Sequence, residues 1–328
     1  MIPRLQFAAS QPVHDALRAV GRTEDLRFSP DNRLLVLAGF RRRLCLVLGI
    51  SIEGPAEDPR VTVHDFLELV SPGIGLVHGI DFVDDRTIAV GNRDGQVALF
   101  TLPTGELGGR RFQAEPIATV PGSLTRWVRS PGSVATWQGE DGVRRLLVCN
   151  NYIHTVTGHV LGGPDGFRPA RAAFLLHRGL RIPDGITVSH DGRWIAVSSH
   201  ATHDVKLFDG SRNLGWRTSP AGVLRGAAYP HGLRFTADDR RILVADAGEP
   251  LVHVYESDGD WSGARDSVRA VPVLDSATFE RGRTDKAGQT NREEGGPKGV
   301  DIDRSGRVMA LTCQEEPLAF FSMASVAG

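Results

Sequence analysis

Cysteine is scarce, with only Cys45, Cys149 and Cys313 in 328 residues, and no two of them form a Cys-x-x-Cys pair. An odd, widely spaced set argues against a disulfide framework and for reduced thiols in a cytoplasmic protein. Long apolar runs are missing too. None reaches the roughly 18 residues of a membrane helix, and Met1-Ile-Pro-Arg-Leu-Gln-Phe7 lacks the apolar core of a signal peptide. No sign of charge dominates, since Lys+Arg 38 stand against Asp+Glu 39. A protein that tracks nucleic-acid phosphates needs a basic excess or a basic face, so no such partner is expected. Walker, Gly-x-Gly-x-x-Gly, Gly-x-Ser-x-Gly and His-Glu-x-x-His motifs are absent, which leaves no sign of a nucleotide or organic cofactor. Helical periodicity is nearly absent, the one candidate being a short stretch near Val13–Val20.

Glycine (38) and proline (19) are plentiful and punctuate a repeat. Six copies of one unit recur: Leu26–Ala38, Gly79–Val90, Gly132–Trp137 leading to Arg145–Cys149, Gly185–Val197, Gly232–Val244 and Gly299–Leu311. Each is a short alternating strand, a polar turn and a second apolar strand. Gly79, Gly132 and Gly185 lie 53 residues apart, Gly232 follows after 47 and Gly299 after 67. The first copy lacks the glycine. A third and, in most units, a fourth apolar run follow. Four short strands per unit, six times over, predict an all-β, six-bladed β-propeller of four-stranded antiparallel blades in a single domain spanning 1–328. The blades are expected near 22–71, 76–121, 129–178, 182–227, 229–275 and 296–323. The last has no fourth strand of its own, and the N-terminal segment 4–8 is expected to supply it and close the ring. Residues 275–296 form a lid-like insertion carrying Arg281, Arg283 and Arg292, candidates for meeting a substrate carboxylate or phosphate. Arg126-Trp127-Val-Arg129 is a lesser candidate at the same rim.

The first strand of a propeller blade lines the central channel. The residue before each repeat glycine therefore points into a common funnel, and these residues are Glu24, His78, Pro131, Asp184, His231 and Lys298. Five are ionisable. A wet channel lined with solvated side chains is one reading. The other is a metal or acid/base site, with Glu24, His78, Asp184 and His231 as ligands and His78, Asp184, His231 and Lys298 as catalytic groups. Imidazole suits Zn or Fe, and oxygen ligands suit Ca; Mn completes the set of divalent ions considered. The ends of the second strands add Asn92, Arg93, Asn150, Asn151, His200, Asp246 and Gln314 as substrate-binding candidates, although Asn and Asp are also ordinary turn residues. His200 and His203 are not expected to share one face. Cys313 reads as a packed thiol.

Pro183-Asp184-Gly185-Ile-Thr-Val-Ser-His-Asp-Gly-Arg-Trp-Ile-Ala-Val197 and Pro230-His231-Gly232-Leu-Arg-Phe resemble blades of the gluconolactonase/senescence-marker-protein superfamily of six-bladed propellers. In its lactonases a first-blade Glu and later Asn and Asp residues hold a divalent metal that polarises the lactone carbonyl. By that resemblance Glu24 takes the place of the Glu, Asp184 that of the Asn and His231 that of the Asp. The rhythm is also similar to NHL-repeat propellers such as the peptidylglycine amidating lyase, whose channel histidines bind zinc. That similarity implies His231 and His78 as ligands.

The expected function is a small-molecule enzyme working in the central funnel on a polar metabolite: a divalent-metal-assisted hydrolase (lactonase-like), lyase or isomerase. Lys298 and Arg93 would stabilise developing negative charge. Two alternatives stand beside it. One is a non-catalytic propeller that binds a protein or small ligand. The other is a metal-free acid/base enzyme pairing a channel His with Asp or Glu. Oligomeric state is not read from the sequence.

Overall fold

A computed structural model describes residues 1–328 except 121, 123–127, 140–141, 163–166, 168–171 and 284–292. The chain folds as a six-bladed β-propeller of small, mostly antiparallel sheets. The innermost strands are Thr23–Phe28, Val77–Phe82, Pro131–Gln138, Pro183–Val188, Pro230–Phe235 and Pro297–Ile302. Each packs on the next around the axis, and the sixth packs on the first. Their partners alternate apolar and small residues whose two faces fill the layers between blades. Leu35, Leu37, Leu46 and Leu48 pack toward the sixth blade with Val308, Ala310 and Phe320, while Val36, Ala38, Cys45 and Val47 pack toward the second with Ile80, Ile88 and Val90. Period-two alternation places successive side chains on opposite faces, so one strand serves two inter-blade cores.

The N-terminal segment departs from expectation. It does not form a fourth strand on the sixth blade, which remains a sheet of three: Pro297–Ile302, Val308–Cys313 and Ala319–Ser322. The segment makes one antiparallel bridge there, Leu5 with Phe320. Phe7–Ala9 then runs parallel to the outer strand of the first blade, Arg60–Val70. The Ile2 amide donates to Pro272 O, and Arg4 pairs with Glu316 at 2.7 Å. The segment thus crosses the seam between last and first blades as a strap. The physical reason lies just beyond it: a helix, Gln11–Val20, buries Val13, Ala16, Leu17 and Val20 on the first blade and draws the chain in that direction.

Two further strands had no sequence signal. Arg110–Gln113 and Gly263–Asp266 each lie parallel against the outer strand of the preceding blade. The insertion begins with a second helix, Ser276–Arg283. Among the described residues, no helix is long and apolar enough to cross a membrane.

Candidate functional site

Every blade carries a β-bulge near the start of its inner strand. The register shifts between Thr23 and Leu26, Val77 and Gly79, Pro131 and Val134, Pro183 and Ile186, Pro230 and Leu233, and Pro297 and Val300. A bulge re-aims a side chain that strict alternation would send elsewhere, so both the residue before the repeat glycine and the residue two after it reach the channel.

The registers also correct the repeat. Pro131 pairs with Asn150 as Pro183 pairs with Ser199 and Thr23 with Gly39. The third-blade counterpart of Asp184 is therefore Gly132, and the counterpart of Gly185 is Ser133. Pro131 sits one residue early and is not a funnel residue. In the first blade the glycine's place is taken by Asp25. The glycine is needed where neighbouring inner strands nearly touch: a Cβ on Gly185 would lie 1.9 Å from His231 O. Gly132 serves differently. A Cβ there would lie 2.3 Å from Asn151 Oδ1 and 3.0 Å from Asp184 Oδ1, so its bare backbone leaves room for Asn151 to reach across to Asp184.

Glu24, His78, Asp184, His231 and Lys298 do converge, all five buried. Asp184 is the hub. Its Oδ1 accepts from Asn151 Nδ2 at 2.6 Å and from Arg93 Nη2 at 3.2 Å. Its carboxylate also faces Nε2 of three imidazoles, His231 at 3.0 Å, His200 at 3.5 Å and His78 at 3.8 Å. Burial opposes ionisation of Asp184, but the imidazoles around it hold its carboxyl well below the usual carboxylate range. Burial, followed by the Arg93 charge, pulls His78 down to about 3. Burial pulls His200 down to about 4. Both rings are neutral at pH 7. Arg93 Nη2 lies 2.5 Å from His78 Nε2 and can only donate, so this nitrogen is the acceptor and the ring proton sits on Nδ1.

Glu24 forms the second centre. Lys298 Nζ donates to its Oε2 at 2.9 Å, and Arg22 pairs with its other oxygen. Lys298 also pairs with Glu294, and Arg22 lies 3.8 Å from that same carboxylate. Burial works against the Glu24 charge, but Arg22 and Lys298 overcome it and hold the group well below its ordinary value. Lys298 is thus a buried partner of two carboxylates rather than an open catalytic cation. His78 and His231 approach Glu24 Oε2 at 3.8 and 3.7 Å, and their rings stack with centroids 5.5 Å apart. Phe40 meets His78 edge-on, and Tyr229 covers His200 with centroids 4.2 Å apart.

The second-strand candidates divide cleanly. Arg93, Asn151 and His200 enter the site; Gln314 holds the equivalent place in the sixth blade and is half-buried. Asn92, Asn150 and Asp246 are turn pins instead, a correction to their expected role. Each sits opposite the first residue of the inner strand and accepts backbone amides of the incoming loop. Gly75 N donates to Asn92, Arg129 N to Asn150, and Ala228 N and Tyr229 N to Asp246. Satisfying those buried amides is a structural task. His203 turns away from His200 and bonds Ala228 O. Arg281 bonds Thr278 and lies 3.9 Å from Glu315, and Arg283 lies 3.7 Å from Glu280. Neither meets the funnel groups, while Arg126, Trp127 and Arg292 lie outside the described residues. All three cysteines are free and buried; burial pushes Cys313 up to about 12. Arg22 and Glu294 were missed. The sequence signal for both was proximity: Arg22 is two residues before Glu24, just ahead of the strand, and Glu294 is four residues before Lys298.

Three side-chain donors close on one point in two overlapping sets, Glu24–His78–His231 and Asp184–His200–His231, each with its ligand atoms within 4.8 Å of one another. Beside them lies a void of about 10 Å³ lined by Glu24, His78, Asp184 and His231 but not by His200, the size of one water or one ion.

No family model matches this chain, and no curated protein matches it. Solved structures do. A functionally unknown protein from Desulfotomaculum acetoxidans superposes with TM-score 0.59 at 14% identity, covering 92% of this chain and 83% of that one. A protein from Lactobacillus plantarum gives TM-score 0.56 at 13% identity over 92% and 80%. A chain of a mitotic checkpoint complex gives 0.56 at 11% over 92% and 77%. At such identities the likeness establishes the propeller fold alone.

Proposed function

We propose that the funnel is the active site of a divalent-metal-assisted enzyme acting on a small polar, negatively charged metabolite. The carrying observation is the convergence of His200, His231 and ionised Asp184, whose donor atoms lie within 4.8 Å of one another beside a void the size of one ion that Asp184 and His231 line. His200 Nε2 is buried and makes no hydrogen bond among the described residues. Glu24 and His78, expected as ligands, are already engaged, Glu24 by Lys298 and Arg22, His78 Nε2 by Arg93. The donor set that fits a metal is therefore two imidazoles and one carboxylate. Such a set suits Zn, Fe or Mn better than Ca, and leaves coordination positions open. A bound ion would supply Lewis acidity to a substrate carbonyl or similar oxygen.

The chain's own groups account for the rest. Arg22, Arg93 and Lys298 balance Glu24, Asp184 and Glu294 in formal charge, and His78 and His200 add none at pH 7, so a dication leaves the site cationic and selects a substrate with negative charge. Arg93 lies beside the exposed Tyr152, its guanidinium 5.8 Å from that ring, and is poised to hold a substrate oxygen at the mouth. Hydrolysis of a lactone, lyase chemistry and isomerisation all use this arrangement, and the resemblance to gluconolactonase-type blades favours the first. Three free, buried thiols fit a reducing, cytoplasmic setting. The test is elemental analysis of untagged full-length protein, with calorimetric titration of Zn(II) and Mn(II). Near-stoichiometric metal, lost in His200→Ala and His231→Ala and kept in His78→Ala, is the expected result. Absence of metal together with no heat on titration would overturn it.

A metal-free acid/base site is the second reading. The charge balance of the six groups without any added ion favours it. A pH–rate profile unchanged by chelator would select it.

A further inference from the structure

The inner strands build a second ring of side chains two residues beyond the repeat glycine: Arg27, Asp81, Ala135, Thr187, Arg234 and Asp301. They face the opposite mouth of the channel, away from the histidines. All but Ala135 are polar or charged, and Arg27 and Asp301 are almost fully buried. Asp301 is saturated. Its oxygens accept from Arg234 Nε at 2.9 Å, Phe28 N at 2.8 Å and Arg304 Nη2 at 3.4 Å. Asp81 is not. Its Oδ2 accepts from Thr136 N at 2.6 Å and from Thr136 Oγ1 at 3.3 Å, while among the described residues its Oδ1 has only the Arg27 Nε ion pair at 3.6 Å. Its side chain is also the more open of the two carboxylates, 16% exposed against 1% for Asp301.

Arg234 supplies the complementary group. Its Nε and Nη1 are used on Asp301, Ile186 O and Leu233 O. Its Nη2 is buried and makes no hydrogen bond among the described residues. Leaving a charged donor buried and unpaired is costly. Between Asp81 and Arg234 in ring order stand only Ala135 and Thr187, the two smallest members. The gap opens into a cavity of about 400 Å³, walled also by Trp137 and Phe235. Gln138, His190, Asp303 and Arg304 also line it, so the wall is about as polar as apolar, and its size suits a small polar molecule.

We propose that this mouth binds a small zwitterion of the α-amino-acid type, its carboxylate on Arg234 Nη2 and its ammonium on Asp81 Oδ1. A lone anion would face Asp81, and a lone cation would face Arg234. Only a molecule carrying both charges satisfies both groups. A site built this way rejects analogues that lack one of them, because a buried partner is then left unpaired.

The test uses the full chain and the twenty proteinogenic L-amino acids, screened by thermal shift and then by calorimetry. At least one is expected to bind. Its deaminated and its decarboxylated analogues should each bind at least tenfold more weakly, and Arg234→Gln should lower affinity at least tenfold without changing metal content. Should Arg234→Gln fail to fold, the comparison of the three ligands on the unaltered protein decides by itself. No binding by any of the twenty, or equal binding by either analogue, overturns the proposal. The metal reading of the funnel is independent of all these outcomes.

Discussion

Nε2 of His231 lies 3.0 Å from Oδ2 of Asp184, although the two residues belong to adjacent blades. Their backbones are held at this spacing by the close strand contact at Gly185. The same carboxylate receives Arg93 and Asn151 from two other blades. Asp184 therefore ties together four blades at the axis, and its loss has consequences for stability as well as for chemistry.

Asp184→Asn is expected to destabilise the fold by roughly 3 kcal/mol or more, as for removal of one member of a buried ion pair. Urea unfolding of metal-stripped protein checks this. A double-mutant cycle with Asn151→Ala should show coupling, since the two side chains share the 2.6 Å hydrogen bond. Additive effects would mean that the bond contributes nothing.

Glu24→Gln leaves Lys298 and Arg22 short of one buried counter-charge, and a loss of about 3–5 kcal/mol is expected. Replacing Lys298 by Met in the same chain should recover part of it, because Glu294 and Arg22 then remain as a pair at 3.8 Å. Chemical denaturation of the single and double variants gives the measurement. A double variant less stable than Glu24→Gln alone would contradict the charge assignment.

Asp246→Ala removes the acceptor for the Ala228, Tyr229 and Gly248 amides and for His253. It should lower stability by about 1–3 kcal/mol per amide left without a partner, yet leave metal content untouched. A loss of metal from this variant would return Asp246 to the functional site.

Burial raises Asp81 to about 6 despite the opposing charge of Arg27. In the unfolded chain it titrates near 3.8. Between these values the folded state holds the extra proton, so the contribution of this group to stability declines as pH rises through the window and is constant above it. Asp81→Asn lacks the effect. The stability of the variant relative to the parent should therefore climb between pH 4 and 6 by about 1.4 kcal/mol per pH unit. Thermal or urea unfolding at several pH values reads the slope, and a flat difference would refute the buried titration.

The repeat determined the blade count, the strand order and the identity of most axial groups, because both the turn residues and the alternation of apolar side chains are local properties of the chain. Glu24, His78, Asp184, His231 and Lys298 were legible for that reason. Tertiary structure decided the rest. Which of Asn92 and Arg93, or Asn150 and Asn151, faces the axis depends on a one-residue register that hydrogen bonding between strands sets, and Pro131 was displaced by the same single step. Charge partners such as Lys298 with Glu24, or Arg234 with Asp301, come from where one blade meets the next around the ring. The strap at the N-terminus follows the pull of a helix onto the first blade, an apolar contact between distant segments that no local pattern encodes.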